Sequence, residues 1–237
     1  MRGADAGLRE HRAGPLPTAV VFDCDGTIAD TESISDRAWS ETLAEHGYTA
    51  TAEDFRAVIG YPFPQNWAYF SARADLGERD AFRARLRARF LDLFDRELEV
   101  HDDAVSTIVA LGAAGVPIGV ASSSSHQHVE RVLARAGVTD LVGAIVGADD
   151  VEAHKPAPEP YLAAAAGLGV DPLVCSAVED TPVGLAAALA AGMFTVGVVR
   201  THATADDLAD AHRVVDHLSL AALVPDPVRV QEGDPWS

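Results

Sequence analysis

Cysteine is scarce in this chain. Only Cys24 and Cys175 occur in 237 residues, far apart, which excludes a disulfide framework. Both sit in apolar, strand-like runs, and no histidine is placed by sequence to activate either. They read as small buried hydrophobes in a reducing compartment. Long hydrophobic runs are missing too: none reaches the about 18 apolar residues of a membrane span. Residues 1–14 carry scattered charges and no apolar stretch, so they do not read as a secretory leader. The expectation is a cytoplasmic protein with no membrane partner. Basic residues are few, 18 Lys and Arg against 36 Asp and Glu, a net charge of -18. A field of that sign repels nucleic acid and anionic membranes. A small anionic substrate would need a local cationic site, such as a metal ion with a few placed basic groups. Internal repeats are absent, and so is the paired His–Cys spacing of a zinc site. His126, His128 and His154 therefore read as surface groups or as supports behind a site.

The chain has 48% hydrophobic residues, enough for a sizeable core. Its texture divides it. A short apolar run, Thr18 to Asp23, predicts a buried strand ending in a tight acidic loop. From Glu32 to about Val100 the texture is helical, with apolar spacing at Trp39, Leu43 and His46 and again at Phe82, Leu86, Phe90, Leu93 and Phe94. An aromatic patch with prolines, Tyr61 to Phe70, interrupts it. From Asp102 onward helices and strands alternate. Strands are predicted at 116–121, 144–146, 173–178, 194–199 and 213–215, and helices at 105–114, 125–136, 158–166, 181–191 and 206–211. Such alternation predicts an α/β fold, a doubly wound parallel sheet with a Rossmann-like core and an inserted all-helical domain. The boundaries expected are a tail at 1–14, the core at 15–31 and 102–224, the helical insert at 32–101, and a tail at 225–237.

In open parallel sheets, sites gather at the carboxyl ends of the strands. The first strand is followed there by Asp23, Asp25 and Thr27. The second is followed by Ser122 and Ser123, and the third leads to Lys155. The fourth is followed by Glu179 and Asp180. Four carboxylates in one place repel one another unless a cation binds them, and hard oxygen ligands favour Mg²⁺. One carboxylate can attack a phosphoryl group, and another two residues on can move protons. A hydroxyl and an ammonium can hold the phosphate oxygens. Each part has a plainer reading: an acidic turn, a serine helix cap, a solvated lysine. The combination at four strand ends outweighs them. The aromatics Trp67, Tyr69 and Phe70 read as core, while substrate contact is an even alternative for Tyr61 and Phe63; Thr27, at the end of the first strand, is grouped with these two as a substrate residue.

These residues resemble the haloacid dehalogenase superfamily. Within it they resemble the helical-cap branch of phosphoglycolate phosphatase-like, sugar-phosphate phosphatase and β-phosphoglucomutase-like enzymes. The matching segments are FDCDGTIADTES at Phe22–Ser33, VASSSS at Val120–Ser125, KPAPEPY at Lys155–Tyr161 and VEDTPVGLAAALAAGM at Val178–Met193. The resemblance implies Asp23 as nucleophile and metal ligand, and Asp25 as general acid/base with its carbonyl on the metal. It implies Ser122 and Lys155 as phosphate holders, and Asp180 and Glu179 as further Mg²⁺ ligands. It implies a helical cap over the core. Departures are Ser35 where mutase-like members carry histidine, Phe63 near a mutase arginine, and Ser125 in place of a basic residue. His154 stands where glycine is usual, and Asp102-Asp103 where Pro-Gly is usual. The first three favour hydrolysis of a small phosphate monoester over a mutase. Asp25 and Asp180 disfavour a dehalogenase, and an intact catalytic set disfavours a silent binding protein. A monomer and a homodimer are both compatible with the sequence.

Overall fold

The computed structural model describes residues 15–58 and 63–225. The tail expected at 1–14, all but the first residue of the tail expected at 225–237, and the candidate substrate residue Tyr61 lie outside the described residues. Six strands form one parallel sheet: β1 (Ala19–Phe22), β2 (Ile118–Ala121), β3 (Ala144–Val146), β4 (Cys175–Glu179), β5 (Phe194–Val198) and β6 (Arg213–Val215). Their order is β3-β2-β1-β4-β5-β6, so the chain winds outward from β1 first to one side and then to the other. This is the doubly wound α/β class expected, and the direction of winding reverses next to β1.

Both faces of the sheet are covered, which is why its central strands read as unbroken apolar runs. Ala19 and Val21 of β1 face α7 (Glu159–Leu168) and α8 (Pro182–Ala190), through Tyr161, Ala164, Ala187 and Ala188. Val20 and Phe22 face the other way, onto α5 (Asp102–Ala113) and α6 (His126–Ala136), through Ile108, Leu111, Val129 and Leu133. Cys24 and Cys175 are buried and unpaired. No helix among the described residues is long and apolar enough to cross a membrane.

One predicted helix does not form. Residues 206–211 run as successive turns, with Asp207 N bonded to Thr204 O, Ala209 N to Asp206 O and Ala211 N to Leu208 O. Asp206, Asp207 and Asp210 are weak helix formers, and the segment is too short to offset them. Its end is fixed instead by His212, whose backbone N donates to Thr195 Oγ1 at 3.1 Å.

Between β1 and α5 the described chain is helical: α1 (Thr31–Glu45), α2 (Ala52–Val58), α3 (Phe63–Ser71) and α4 (Arg79–Glu97). Its core is aromatic. Trp39 lies 5.3 Å from Phe70 and 5.6 Å from Phe82, and Trp67 meets Phe82 edge-on at 5.2 Å. Asp30 caps α1 by accepting from Ser33 N at 3.0 Å. The chain enters and leaves this block side by side: Ala29 and Val100 form an antiparallel bridge, Asp30 N donates to Glu99 O, and His101 N donates to Ile28 O.

Candidate active site

The carboxyl ends of β1, β2 and β4 meet beside the winding reversal, and the loop after β3 brings in Lys155. Asp23 follows β1 directly, its N held by Val178 O of β4 at 2.9 Å. Lys155 Nζ lies 2.6 Å from Asp23 Oδ1 and 2.5 Å from Glu179 Oε1, and its side chain is only 4% exposed. It is the only lysine in the chain; the other 17 basic residues are arginines. A compact ammonium can sit between two carboxylates where a planar guanidinium would need more room. The lysine loop is pinned by Glu159, whose carboxylate accepts from Glu152 N at 3.0 Å and Ala153 N at 2.9 Å.

Glu179 ends β4. Its Oε1 also accepts from Tyr161 OH at 2.8 Å, and its Oε2 from Thr181 Oγ1 at 2.9 Å and Asp180 N at 3.2 Å. A side chain at Gly184 would stand 1.7 Å from Glu179 Oε1, so α8 approaches Glu179 only through a glycine. Gly26 has φ 79°, and a Cβ there would stand 2.1 Å from Asp180 Oδ2. The turn after Asp25 thus depends on glycine for both its conformation and its clearance.

Asp23, Glu179 and Asp180 are all buried, with carboxylate oxygens within 4.8 Å of one another. Burial raises Asp23 well above the ordinary carboxylate range; Lys155 opposes this, and Glu179, Asp180 and Asp25 add to it. Burial and then Glu179 push Asp180 up to about 8, against the Thr27 hydrogen bond. Lys155 is raised although burial works the other way, because Asp23 and Glu179 hold its proton. A single ammonium does not neutralise three crowded carboxylates. This oxygen-only set suits a hard divalent cation.

Asp25 differs. Burial pushes it up, but the His128 hydrogen bond and charge, with Ser124 and Thr31, outweigh this and hold it at about 2. Thr31 Oγ1 donates to Asp25 Oδ1 at 2.8 Å and Ser122 Oγ to Oδ2 at 3.1 Å. His128 Nε2 lies 2.7 Å from Oδ1. An ionised carboxylate only accepts, so Nε2 carries the hydrogen in that contact.

The structure therefore brings together Asp23, Asp25, Ser122, Lys155, Glu179 and Asp180. Ser123, next to Ser122, is exposed. Thr27, grouped by sequence with the substrate residues, is fully buried and donates to Asp180 Oδ1 at 3.0 Å, so it orients a carboxylate from behind. Phe63 opens α3 and stacks on Trp39 at 5.9 Å. Ser125, where a basic residue was expected, caps α6. His126 Nδ1 pairs with Asp150 Oδ2 at 2.7 Å, away from the acidic cluster, and His154 is exposed. His128, read from sequence as a surface group or a support behind a site, stands as such a support behind Asp25. Tyr161 had no role assigned from sequence; its only signal was placement, six residues after the lysine.

A model of haloacid dehalogenase-like hydrolases matches residues 17–192. The chain is 32% identical over 200 residues to validoxylamine A 7'-phosphate phosphatase of Streptomyces hygroscopicus subsp. limoneus, covering 84% of this chain and 93% of that one. It is 34% identical over 184 residues to fructose-1-phosphate phosphatase YqaB of Escherichia coli (strain K12), covering 76% and 95%. Among solved structures it is similar to CbbY from Rhodobacter sphaeroides in complex with phosphate, with TM-score 0.75 and 28% identity, covering 88% and 99%.

Proposed function

The chain belongs to the haloacid dehalogenase-like hydrolases, as a phosphoric monoester hydrolase, and from that premise we propose that it cleaves a small phosphate monoester, a sugar phosphate or similar, through an aspartyl-phosphate intermediate with Mg²⁺. The observation that carries this reading is the Lys155 ammonium set between Asp23 and Glu179 beside Asp180, with Asp25 two residues from Asp23.

Asp23, Asp180, Glu179 and the Asp25 carbonyl would hold the ion. When bound, it supplies positive charge against the carboxylates and the phosphoryl oxygens. An Asp23 carboxylate oxygen attacks phosphorus, and the bond from phosphorus to the ester oxygen breaks. Asp25 gives that oxygen its proton, then takes one from the water that attacks the acyl phosphate, and the Asp23–phosphate bond breaks to release phosphate. Lys155 and Ser122 hold phosphoryl oxygens. Thr31, Ser122 and His128 keep Asp25 ionised as described, which is the state that accepts the water's proton. Donating to the ester oxygen requires that donor set to loosen around a protonated Asp25.

The helices from α1 to α4 serve as a cap that closes over the site and excludes water, hinged at the paired linkers around Ala29 and Val100. Two buried, unpaired cysteines suit a reducing, cytoplasmic setting. Ser35, in place of the mutase histidine, favours water over a sugar as acceptor.

The test is phosphate release with Mg²⁺ from a panel of sugar phosphates, phosphoglycolate, nucleotides, and β-glucose 1-phosphate with a bisphosphate activator. Wild type should release phosphate and Asp23→Asn should not, while its circular dichroism stays native. Isomerised sugar phosphate without release would make the enzyme a mutase. Turnover that survives EDTA would refute the Mg²⁺ mechanism.

A further inference from the structure

Tyr161 is fully buried, and no step of the proposed reaction uses it. It stands in the first turn of α7, in the apolar cluster of Ala19, Val21, Ala121, Val146 and Ala177. Phenylalanine would fill that place without the cost of taking a hydroxyl out of water. The hydroxyl is aimed instead at the carboxylate cluster. It donates to Glu179 Oε1 at 2.8 Å and lies 3.4 Å from Lys155 Nζ. The ring faces the same cation, with the ammonium 4.9 Å from its centroid.

The contact matters because two anions compete for Lys155. Its Nζ lies 2.6 Å from Asp23 Oδ1 and 2.5 Å from Glu179 Oε1. A carboxylate oxygen offers two lone pairs, and an ammonium carries three hydrogens. On Glu179 Oε1 the tyrosine takes one pair, so a single N–H of Lys155 is received there. A second N–H goes to Asp23. For the third, the tyrosine oxygen at 3.4 Å lies past the about 2.7–3.2 Å of an ordinary N–H···O bond. The ring face attracts the charge without using a hydrogen. That third N–H is therefore left for a phosphoryl oxygen. Without the hydroxyl, both lone pairs of Oε1 would be open to the ammonium. Glu179 is the more deeply buried carboxylate, 1% exposed against 6% for Asp23, so its attraction is the less screened and would draw Lys155 away from the nucleophile.

We propose that Tyr161 is a positioning residue: its hydroxyl occupies Glu179 Oε1, so that Lys155 stays against Asp23 with one N–H free for the phosphoryl group. That Lys155 meets a phosphoryl group rests on the phosphatase reading; the sharing of Glu179 Oε1 does not.

Lys155 is the only lysine in the chain, so lysine isotopically labelled at Nζ gives one side-chain signal by NMR. Wild type is compared with Tyr161→Phe, which keeps the ring, and with Thr181→Val, which removes a bond of similar length, 2.9 Å, from the other Glu179 oxygen. Inorganic phosphate is titrated with Mg²⁺ present. In Tyr161→Phe the lysine signal should move before phosphate is added. The phosphate Kd should rise about tenfold, as expected when a charged hydrogen bond is displaced. Thr181→Val should leave both readings closer to wild type. Equal effects from the two substitutions would make the hydroxyl one more bond on Glu179 and overturn the proposal. A lowered Tm in Tyr161→Phe, with lysine signal and phosphate Kd unmoved, would make it structural and overturn it too. The wild-type chain grown on 3-fluorotyrosine, a stronger donor, reads the same bond without a substitution. Its lysine signal should move the opposite way from that of Tyr161→Phe, and a signal that stays in place would count against the role. Phosphate binding that depends on Tyr161, with no phosphate released by wild type from any monoester, would sink the phosphatase reading and leave the positioning role standing.

Discussion

Gly184 shows how finely the site is set at the scale of single residues. Replacing a glycine inside a helix with alanine ordinarily gains up to about 1 kcal/mol. Here the new methyl would stand 1.7 Å from Glu179 Oε1, and Glu179 is already fixed by Lys155 and Tyr161. Gly184→Ala should therefore destabilise the fold by about 1–3 kcal/mol, as overpacking does. It should also raise the Mg²⁺ concentration needed for half-maximal activity. Thermal unfolding and a Mg²⁺ titration check the two parts, and a stabilised variant with ordinary Mg²⁺ response would contradict them. The residues that follow strands were readable because the end of a parallel strand is a local address. Asp23, Ser122 and Glu179 each sit where their own strand stops. Lys155 carried an added signal, the one ammonium in a chain otherwise basic only through arginine. Thr27 was misplaced because its direction depends on Asp180, 153 residues away. Tyr161 was assigned no role, and His128 was left between surface and support, for the same reason: the partner of each lies in a distant segment of the chain.

At the scale of elements, Asp102-Asp103 gains a physical account. Asp103 sits in the first turn of α5, where a carboxylate suits the helix dipole. Its two oxygens accept from Arg200 at 2.8 and 3.1 Å and from Leu218 N at 2.7 Å. Burial raises its pKa, but Arg200 and Leu218 outweigh that and hold it low. The start of α5 is thereby tied to the chain after β5 and to the segment after β6. Asp103→Ala would strand the Arg200 charge, which is 11% exposed, and should cost about 3 kcal/mol. Urea unfolding should show this loss, while kcat stays within about twofold because no catalytic group touches Asp103. A tenfold fall in kcat at unchanged stability would assign Asp103 another role. The strands and the helices flanking them were legible from short apolar runs bounded by glycine. The segment at 206–211 was not, since its apolar spacing suggested a helix that three aspartates and a bond to Thr195 prevent.

For the whole molecule, the acidic site links stability to pH and to metal. Asp180 is raised to about 8 by burial and Glu179, and Asp23 is raised in the same direction. A raised carboxyl contributes stability that is full below its unfolded value near 4 and lost as pH rises through about 8. Metal-free protein should therefore lose stability across that window. On the proposed mechanism Mg²⁺ would bind the ionised cluster, so its stabilising effect should grow over the same range, reaching about 2.7 kcal/mol at about 100 times Kd. The Tm gain from Mg²⁺ should be larger at pH 8 than at pH 6; an equal or smaller gain at pH 8 would show that these carboxylates do not hold the ion.

The antiparallel bridge of Ala29 with Val100 has a consequence for how such a chain diversifies. The two ends of the intervening segment meet at about 5 Å, the spacing of paired strands. Seventy residues therefore hang from the sheet as a closed loop, and the sheet's register does not depend on what they contain. Insertions, deletions or wholesale exchange between those two points leave Asp23, Lys155 and Glu179 where they are. On the proposed reading of this segment as a cap, what covers the site can be rewritten in one continuous stretch of the gene while the proposed reacting groups are inherited unchanged.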